Sequence, residues 1–386
     1  MKYLPRHYGQ RSTLMWKTLK LEICGAFVEM LRRKLFRKVA LIPLFFVLIA
    51  VKWSYLMPPA FPDTPTDKLM FLNLTVPFNN LLLPNVSDWS FRAVKIVAFV
   101  ISMPKLAGRR RAIRNTWASR NHSKTLADGQ GLVLFVLSSP KFEHERRALL
   151  QEQLLYNDLI VTDIHETYRN LVLKVYVALL FFVKHFQKAE FLLKVDDDVT
   201  VLLDTMLKHW NKNVLGSDVV YCKLWNTHGP IRNRLSKWYI PVSIWSDSLY
   251  PSYCDGPLYL LGREAANRIA QNAANFKPFP FEDVFFTGIV GSYSGTKKFN
   301  WSGELTTTEP DYLLAEEECE RSSGKAVVFA VHPLSSSALL HRDFEDAQKY
   351  RCFHNQNKRY LSRIVRTLLS VFSDVLDAWS RKIWKH

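Results

Sequence analysis

The sequence has none of the glycine-rich loops that cradle phosphate groups in common nucleotide-binding folds. Neither a G-x-G-x-x-G pattern nor a Walker-type loop occurs, and no internal repeat is present. Any phosphate group that this chain binds is therefore expected to be held by a metal ion and by side chains.

Acidic residues are few relative to basic ones, with 35 Asp and Glu against 52 Lys and Arg, and the formal net charge is +17. Such an excess would suit a nucleic-acid-binding protein. Its distribution argues against that class, because residues 1–38 carry ten Lys and Arg against Glu22 and Glu29 and so supply +8 of the total. We therefore expect no nucleic-acid partner.

A hydrophobic segment follows this basic tail. Residues 39–51 are uninterruptedly apolar, and residues 53–57 extend the run beyond Lys52, whose side chain can reach the membrane interface. A signal peptide is the alternative, but Pro58 and Pro59 stand where a small-residue cleavage site would be needed. Because the positive charge precedes the segment, we predict a single-pass signal anchor at residues 39–57, with the tail cytoplasmic and the remainder luminal. Translation from Met30 would give a shorter tail.

Two further features fit a luminal address. Asparagines 73, 85, 121 and 300 each begin an N-x-S/T tripeptide, so glycosylation is predicted at Asn73, Asn85, Asn121 and Asn300. Four of the five cysteines lie in the predicted luminal part, namely Cys222, Cys254, Cys319 and Cys352. They could form two disulfides in any of three pairings, or remain free buried thiols.

The periodicity predicts an α/β fold with a mostly parallel central sheet. Apolar runs predict buried strands at residues 93–102, 131–139 and 159–164, whereas residues 141–156 and 168–187 have helical patterns. Residues 58–90, rich in Pro and Asn, are predicted to be a stem, and residues 91–345 the catalytic domain. Residues 346–386 are predicted to be a helical extension that packs on the domain rather than on a membrane surface.

The stretch FLLKVDDDVTV, residues 191–201, carries the clearest chemical signal. An apolar strand delivers Asp196, Asp197 and Asp198 to its end, where ligands bind in open α/β sheets. Three adjacent carboxylates repel one another unless something positive lies between them. Hard oxygen ligands of this kind suit Mn²⁺ or Mg²⁺ held together with substrate phosphates. An acidic turn without a metal is the alternative.

The second half of the chain adds aromatic residues and a second acidic pair. Residues 237–241 and 249–261 contain Trp and Tyr side chains that could line a sugar site, or simply pack in the core. Glu282 and Asp283 could divide the work of catalysis with the first acidic cluster. Alternatively they are the first turn of a helix, where carboxylates favour the dipole.

Taken together, these motifs resemble glycosyltransferase family 31, the group of β-1,3-galactosyltransferases and β-1,3-N-acetylglucosaminyltransferases. The resemblance covers roughly residues 93–345 and rests on five motifs that occur in the family's order. They are RRRAIRNTW (109–117), ETYRNLVLK (166–174), KVDDDV (194–199), YPSYCDGPLYLL (250–261) and EDVFFTG (282–288).

The resemblance implies a GT-A fold, a type II Golgi membrane protein, a UDP-sugar donor, Mn²⁺ and inversion at the anomeric carbon. By this resemblance Asp198 is the direct metal ligand, with Asp196 beside it, Asp197 in support and His332 as a further ligand. Asp283 is implied as the base that deprotonates the acceptor's 3-hydroxyl, and Glu282 as the residue that orients acceptor or donor. The basic motif places Arg110, Arg111 and Arg114 near the nucleotide.

Two departures from the family pattern concern the choice of donor. Leu258 stands where a small residue is usual, and Ser138 replaces a common glycine after the second strand. The expected donor is UDP-galactose, with UDP-N-acetylglucosamine or UDP-N-acetylgalactosamine as alternatives, and the expected acceptor is a glycan on a glycoprotein or glycolipid. A non-enzymatic alternative is a chaperone or partner subunit of a Golgi glycosyltransferase, although such a role does not require intact Asp196, Asp198 and Asp283.

Overall fold

The computed structural model describes residues 66–86, 94–212, 216–301, 305–306, 330–331, 340 and 344. The predicted tail, membrane anchor and C-terminal extension lie outside these residues, as do His332, Cys319 and Cys352. Among the helices of the described part, none is long and apolar enough to cross a membrane.

Strands and helices alternate through the described residues. The strands β1–β12 are Thr66–Phe71, Leu74–Leu82, Ile96–Ile101, Gly131–Leu137, Leu159–Thr162, Phe191–Asp196, Thr200–Val201, Val219–Trp225, Tyr253–Gly262, Lys297–Asn300, Leu305–Thr306 and Ala330–Val331. The α-helices α1–α7 are Ala107–Asn115, Lys124–Ala127, Glu143–Tyr156, Leu171–His185, Leu203–Lys212, Arg263–Asn272 and Gly291–Tyr293. A π-helix spans Val284–Val290, and short 3₁₀ turns occupy Pro104–Leu106, Tyr168–Asn170 and Ala273–Asn275.

Nine strands form one mixed sheet in the order β1-β2-β5-β4-β3-β6-β9-β8-β10. The central strands β5, β4, β3 and β6 are mutually parallel, whereas β9 runs antiparallel to both β6 and β8. The predicted α/β class is therefore confirmed, but the parallel arrangement holds for the centre of the sheet and not for its flanks. A second sheet joins β11, β12 and β7.

Apolar side chains cover both faces of the large sheet. On one face Phe99 packs with Phe182 of α4, Ile269 of α6 and Phe285 of the π-helix. On the other face Val100 belongs to a second cluster that includes α1 and α3. Every residue of β3 is buried, which explains why its sequence is continuously apolar rather than alternating.

The predicted stem needs a correction. Residues 66–82 form an antiparallel hairpin, β1 and β2, and β2 pairs with β5 at the edge of the parallel strands. The asparagines that suggested a linker have structural contacts here: Asn79 donates from its backbone N and from Nδ2 to the Asp163 carboxylate, each at 2.8 Å. Asn73 has φ 58° in the hairpin turn, a conformation that asparagine tolerates. The folded part therefore extends N-terminal to the predicted boundary at residue 91.

Candidate active site

The three aspartates lie where the sheet architecture places a ligand site. Asp196 ends β6, opposite Ile101 of the parallel strand β3, and residues 197–198 turn the chain into β7. We call residues 196–198 the aspartate turn. It lies at the carboxyl ends of the central strands, as the sequence predicted.

Asp197 is fixed by contacts within the protein. Its carboxylate accepts hydrogen bonds from Ser102 Oγ and Arg109 Nη1, each at 2.7 Å, and the side chain is buried. This supports the predicted supporting role, because Asp197 holds the turn against the end of β3. The sequence prediction missed Arg109, although the basic motif contains it.

A buried lysine connects the aspartate turn to the second acidic pair. Lys194 Nζ donates to Asp196 Oδ1 at 2.6 Å, contacts Glu282 Oε1 at 2.9 Å and donates to the carbonyl oxygen of Gly256. The Tyr259 hydroxyl donates to Glu282 Oε2 at 2.6 Å. The two acidic clusters, distant in sequence, are therefore joined through a single ammonium group.

Glu282 has its partners within the protein. Its side chain is buried, and each of its two oxygens is bound by a protein donor, Lys194 on one and Tyr259 on the other. Its predicted role in orienting acceptor or donor finds no support in this placement and stays a prediction. Burial raises the pKa of Glu282, while Lys194 and the Tyr259 hydroxyl act in the opposite direction.

Asp283 differs from its neighbour because part of its side chain remains accessible to solvent. It precedes the π-helix, and its carboxylate accepts a hydrogen bond from the Val284 N–H at 2.8 Å. Burial, followed by the Glu282 charge, raises the pKa of Asp283 to about 7. A general base works best when its pKa lies near the working pH.

Glycine at position 256 leaves room for this carboxylate. A Cβ there would lie 3.0 Å from Asp283 Oδ2, tighter than nearly all real contacts. The Asp283 carboxylate thus occupies the space beside β9 that a side chain at position 256 would fill.

Aromatic residues interact electrostatically with Asp283. Burial, followed by the negative charge of Asp283, raises the pKa of Tyr168 and of Tyr253. Tyr168 also has a side-chain hydrogen bond with Trp238. The Tyr168 and Trp238 side chains are 51% and 46% exposed, so their faces are available to a sugar, as expected from the aromatic segments.

The arginines of the basic motif have different positions. Arg110 is fully buried and binds both carboxylate oxygens of Glu152 at 2.7 Å. Arg114 binds Glu152 and Asp158 at 2.8 Å, whereas Arg111 is exposed on α1. Arg110 and Arg114 thus fasten α1 to α3 and to the start of β5, and their predicted contact with the nucleotide finds no support in this placement.

A disulfide is connected to the start of the π-helix by hydrogen bonds. Cys222 of β8 and Cys254 of β9 are bonded, so these two cysteines are not the free thiols of the alternative prediction. The Cys254 N–H donates to Thr287 Oγ1 at 2.8 Å, and Thr287 Oγ1 donates to the carbonyl oxygen of Asp283 at 2.6 Å. The bonded strand pair thereby supports the start of the π-helix.

The donor set at the aspartate turn fits a hard divalent cation in part. Within the described ranges no three His, Cys, Asp or Glu side chains are grouped as a complete metal site. Asp196 and Asp198 are both partly exposed carboxylates, and a cation of the magnesium type is commonly held by one or two carboxylates together with substrate phosphates. Val331, the residue before His332, pairs with Thr200 just beyond the turn.

Other predicted residues have the following positions. Asn73, Asn85, Asn121 and Asn300 are all exposed, and their glycosylation stays a prediction. Leu258 is buried opposite Val195, in the core cluster on the face of the sheet away from Lys194 and Tyr259. The departure at Leu258 is therefore a packing feature and gives no indication about the donor.

Comparison with known proteins agrees with this site. The galactosyltransferase family model matches residues 108–299, which include the aspartate turn, Glu282 and Asp283. The β-1,3-galactosyltransferase bre-2 of Caenorhabditis elegans is 28% identical over 297 residues, 75% of this chain and 79% of its own length. The lactosylceramide 1,3-N-acetyl-β-D-glucosaminyltransferase of Mus musculus is 25% identical over 211 residues, 52% of this chain and 55% of its own length.

Among solved structures, the apo form of the bifunctional glycosyltransferase WbbM aligns with a TM-score of 0.35 and 9% identity. The alignment covers 63% of this chain and 46% of that one. A likeness this low carries no argument about function.

The family match and the named relatives indicate a sugar-transferring enzyme, and the described residues contain two carboxylate clusters. The match to the galactosyltransferase family model agrees with the resemblance that the five motifs indicated. The prediction of a UDP-sugar-dependent β-1,3-glycosyltransferase is thereby confirmed at the level of this class. The transferred sugar, the acceptor, the metal and the compartment stay predictions.

Proposed function

We propose that this chain is an inverting β-1,3-galactosyltransferase that transfers galactose from UDP-galactose to the 3-hydroxyl of an acceptor glycan on a glycoprotein or glycolipid. The observation that carries the proposal is Asp283, a partly accessible carboxylate with a pKa of about 7 among aromatic side chains. The family description and the nematode relative support galactose.

In this proposal Asp283 accepts the proton of the acceptor's 3-hydroxyl while that oxygen attacks the anomeric carbon. The bond to the UDP oxygen breaks on the opposite face of the sugar, so the configuration inverts and the proton remains on Asp283 until solvent removes it. Tyr168 and Trp238 offer flat faces against which a sugar ring can pack. No protein nucleophile is needed.

A divalent cation completes the proposal at the aspartate turn. Asp198 and Asp196 would hold Mn²⁺ or Mg²⁺, with His332 as a further ligand, and the ion supplies Lewis-acid stabilisation of the departing pyrophosphate. Two carboxylates at the carboxyl end of a central strand also support assignment of the domain to the GT-A type.

We propose a Golgi membrane location with the catalytic domain in the lumen, behind the anchor at residues 39–57. The Cys222–Cys254 disulfide supports this location, because such bonds persist in oxidising compartments. Microscopy of the tagged chain, with glycosidase sensitivity of its glycans, tests the assignment. A uniformly cytosolic, glycan-free chain would contradict it.

The alternative donor is UDP-N-acetylglucosamine, which the mouse relative's name favours. The test follows UDP release from UDP-galactose, UDP-N-acetylglucosamine and UDP-N-acetylgalactosamine by the purified chain, with and without Mn²⁺, over a panel of acceptor glycans. Acceptor-stimulated turnover of UDP-galactose is expected. Preference for another donor would overturn the choice of sugar, and no turnover with any donor by folded protein would favour the partner-subunit alternative.

Two variants separate the proposed roles. Asp283→Asn should abolish transfer while UDP binding persists, and loss of UDP binding would contradict its assignment as base. Asp198→Ala should remove the part of UDP binding that depends on Mn²⁺, and unchanged affinity in the presence of the metal would contradict the ligand role.

A further inference from the structure

Lys194 is a charged residue in the interior of the central sheet. Its side chain is 1% exposed, and it lies on the same face of β6 as Asp196, two residues further along. An ammonium group has three N–H donors, and here each of them has an acceptor: Asp196 Oδ1, Glu282 Oε1 and the carbonyl oxygen of Gly256. A buried charge with all its donors satisfied holds its partners in fixed positions.

Two of these three acceptors adjoin the proposed base. Glu282 precedes Asp283 in the chain, so fixing its carboxylate fixes the start of the π-helix. Gly256 lies against Asp283 from the side of β9, where an added Cβ would come within 3.0 Å of Oδ2. The Lys194 ammonium therefore has two contacts next to Asp283, one with Glu282 at the start of the π-helix and one with the Gly256 carbonyl oxygen on β9.

The third acceptor belongs to the aspartate turn. Asp196 Oδ1 lies 2.6 Å from Nζ, while Tyr259, directly opposite Lys194 on β9, holds the other oxygen of Glu282. Lys194 on β6 and Tyr259 on β9 thus together link the aspartate turn to Glu282, the residue before Asp283.

We propose that Lys194 is a positioning residue that fixes Asp283 relative to the aspartate turn by holding Asp196, Glu282 and the Gly256 carbonyl on one ammonium group. The inference rests on the proposed function in that it takes Asp283 as the base. Lys194 does not contact the sugar, and it acts through the residues that it binds.

The test compares two variants of the full chain with the parent. Lys194→Met removes the ammonium group but leaves Glu282 buried beside Tyr259 only, so it serves mainly to measure stability. In the double variant Lys194→Met with Glu282→Gln both buried charges are gone, and the side-chain oxygen of the introduced glutamine can still accept from Tyr259. The double variant is therefore expected to fold.

Arg263→Met is the matched control. The Arg263 guanidinium is partly buried and donates to the carbonyl oxygens of Phe186 and Ala189, near the start of β6 and so at the opposite end of that strand from the aspartate turn. The variant should lower the melting temperature, as the loss of a partly buried cation does, but change kcat of the folded enzyme by less than about threefold.

The double variant should lower kcat by about 10-fold to 100-fold, because a small misplacement of a reacting group has effects of that size. Its affinity for UDP with Mn²⁺ should stay within about threefold of the parent, since Asp196 and Asp198 are retained. A kcat unchanged in the double variant, or lowered equally by Arg263→Met, would overturn the proposal. So would a loss of UDP affinity as large as the loss of kcat, because Lys194 would then act through Asp196 alone.

A crystal structure of the double variant gives a readout that does not depend on turnover. The Asp283 carboxylate should move relative to Asp196 by about 1 Å or more, a displacement large enough to impair catalysis. An unmoved carboxylate would overturn the positioning role, even for a chain that transfers none of the sugars tested. Absence of turnover in the parent would count against the proposed function alone, and the two failures are thus distinguishable.

Discussion

Replacement of Asp283 by Asn should abolish transfer and at the same time stabilise the folded chain above pH 7. Both effects have the same origin, because the folded protein disfavours the ionised carboxylate that catalysis needs. Asparagine keeps the side-chain oxygen that accepts the Val284 N–H, so the start of the π-helix should be preserved. The loss of the base should lower kcat/KM by about 10²-fold to 10⁴-fold.

The size of the stabilisation follows from the pKa. A rise from the ordinary 3.8 to about 7 in the folded state corresponds to about 4 kcal/mol, as an upper limit. The side chain is partly accessible, so about 2–4 kcal/mol is expected. Below pH 3.8 Asp283 is protonated in both the folded and the unfolded chain, so it costs the parent no folding stability. As the pH rises toward 7 the unfolded chain ionises first, and the parent progressively loses stability relative to the variant.

Denaturant unfolding of parent and variant at pH 4 and at pH 8, without donor, measures this difference. The gain for Asp283→Asn should be larger at pH 8, and kcat/KM of the parent should rise with pH and level off above about 7. Asp128→Asn, at an exposed carboxylate, controls for the change of net charge. A gain that is the same at both pH values, together with full activity at pH 5, would refute the reasoning.

Three further predictions concern neighbouring features. Reduction of the Cys222–Cys254 disulfide, which closes a loop with a sequence separation of 32, should lower the free energy of unfolding by about 3–4 kcal/mol, seen by denaturation with and without dithiothreitol. Arg110→Ala should destabilise the chain by about 3–5 kcal/mol, because Glu152 loses the buried guanidinium that binds it, and should leave the KM for the donor unchanged. Arg109→Ala should instead raise the KM for the donor, because Asp197 of the aspartate turn loses its cation. A donor KM raised by the first variant and not the second would reverse these roles. Gly256→Ala should lower kcat with the fold intact, since the new methyl group displaces the base; unchanged kinetics with normal circular dichroism would contradict this.

The sequence predicted those features that depend on neighbouring residues. A run of apolar residues before Asp196 indicated both the strand and its buried position, and the parallel centre of the sheet then determined where the acids would lie. The hairpin at residues 66–82 was missed because its strands are short of apolar residues on one face and contain Pro77 and paired asparagines. Its membership of the sheet depends on pairing with β5, about 80 residues further along the chain, which no local pattern encodes.

The functional assignments divide in the same way. The motif predicted Asp283 as the base and Glu282 as a residue that orients acceptor or donor, and both roles stay predictions. The motif does not reveal that Lys194 and Tyr259 bind both oxygens of Glu282. Arg110 likewise has the appearance of a phosphate ligand in sequence, and only the fold brings Glu152 against it. A basic or acidic residue in a motif indicates that a charge is needed, while the three-dimensional partners decide whether that charge faces substrate or stabilises the fold.

The carboxylates of the site differ in the donors that bind them, and this difference accounts for their different expected roles. Asp197 is bound by Arg109 and Ser102, and Glu282 by Lys194 and Tyr259, so each accepts strong donors from the protein itself. The bonded partner that stabilises ionised Asp283 is a backbone N–H, and the negative charge of Glu282 adjoins it. Burial, followed by the negative charge of Glu282, raises the pKa of Asp283 toward neutrality, as a base at a sugar hydroxyl requires. Lys194 is central to this arrangement, because its one ammonium group binds both Asp196 and Glu282.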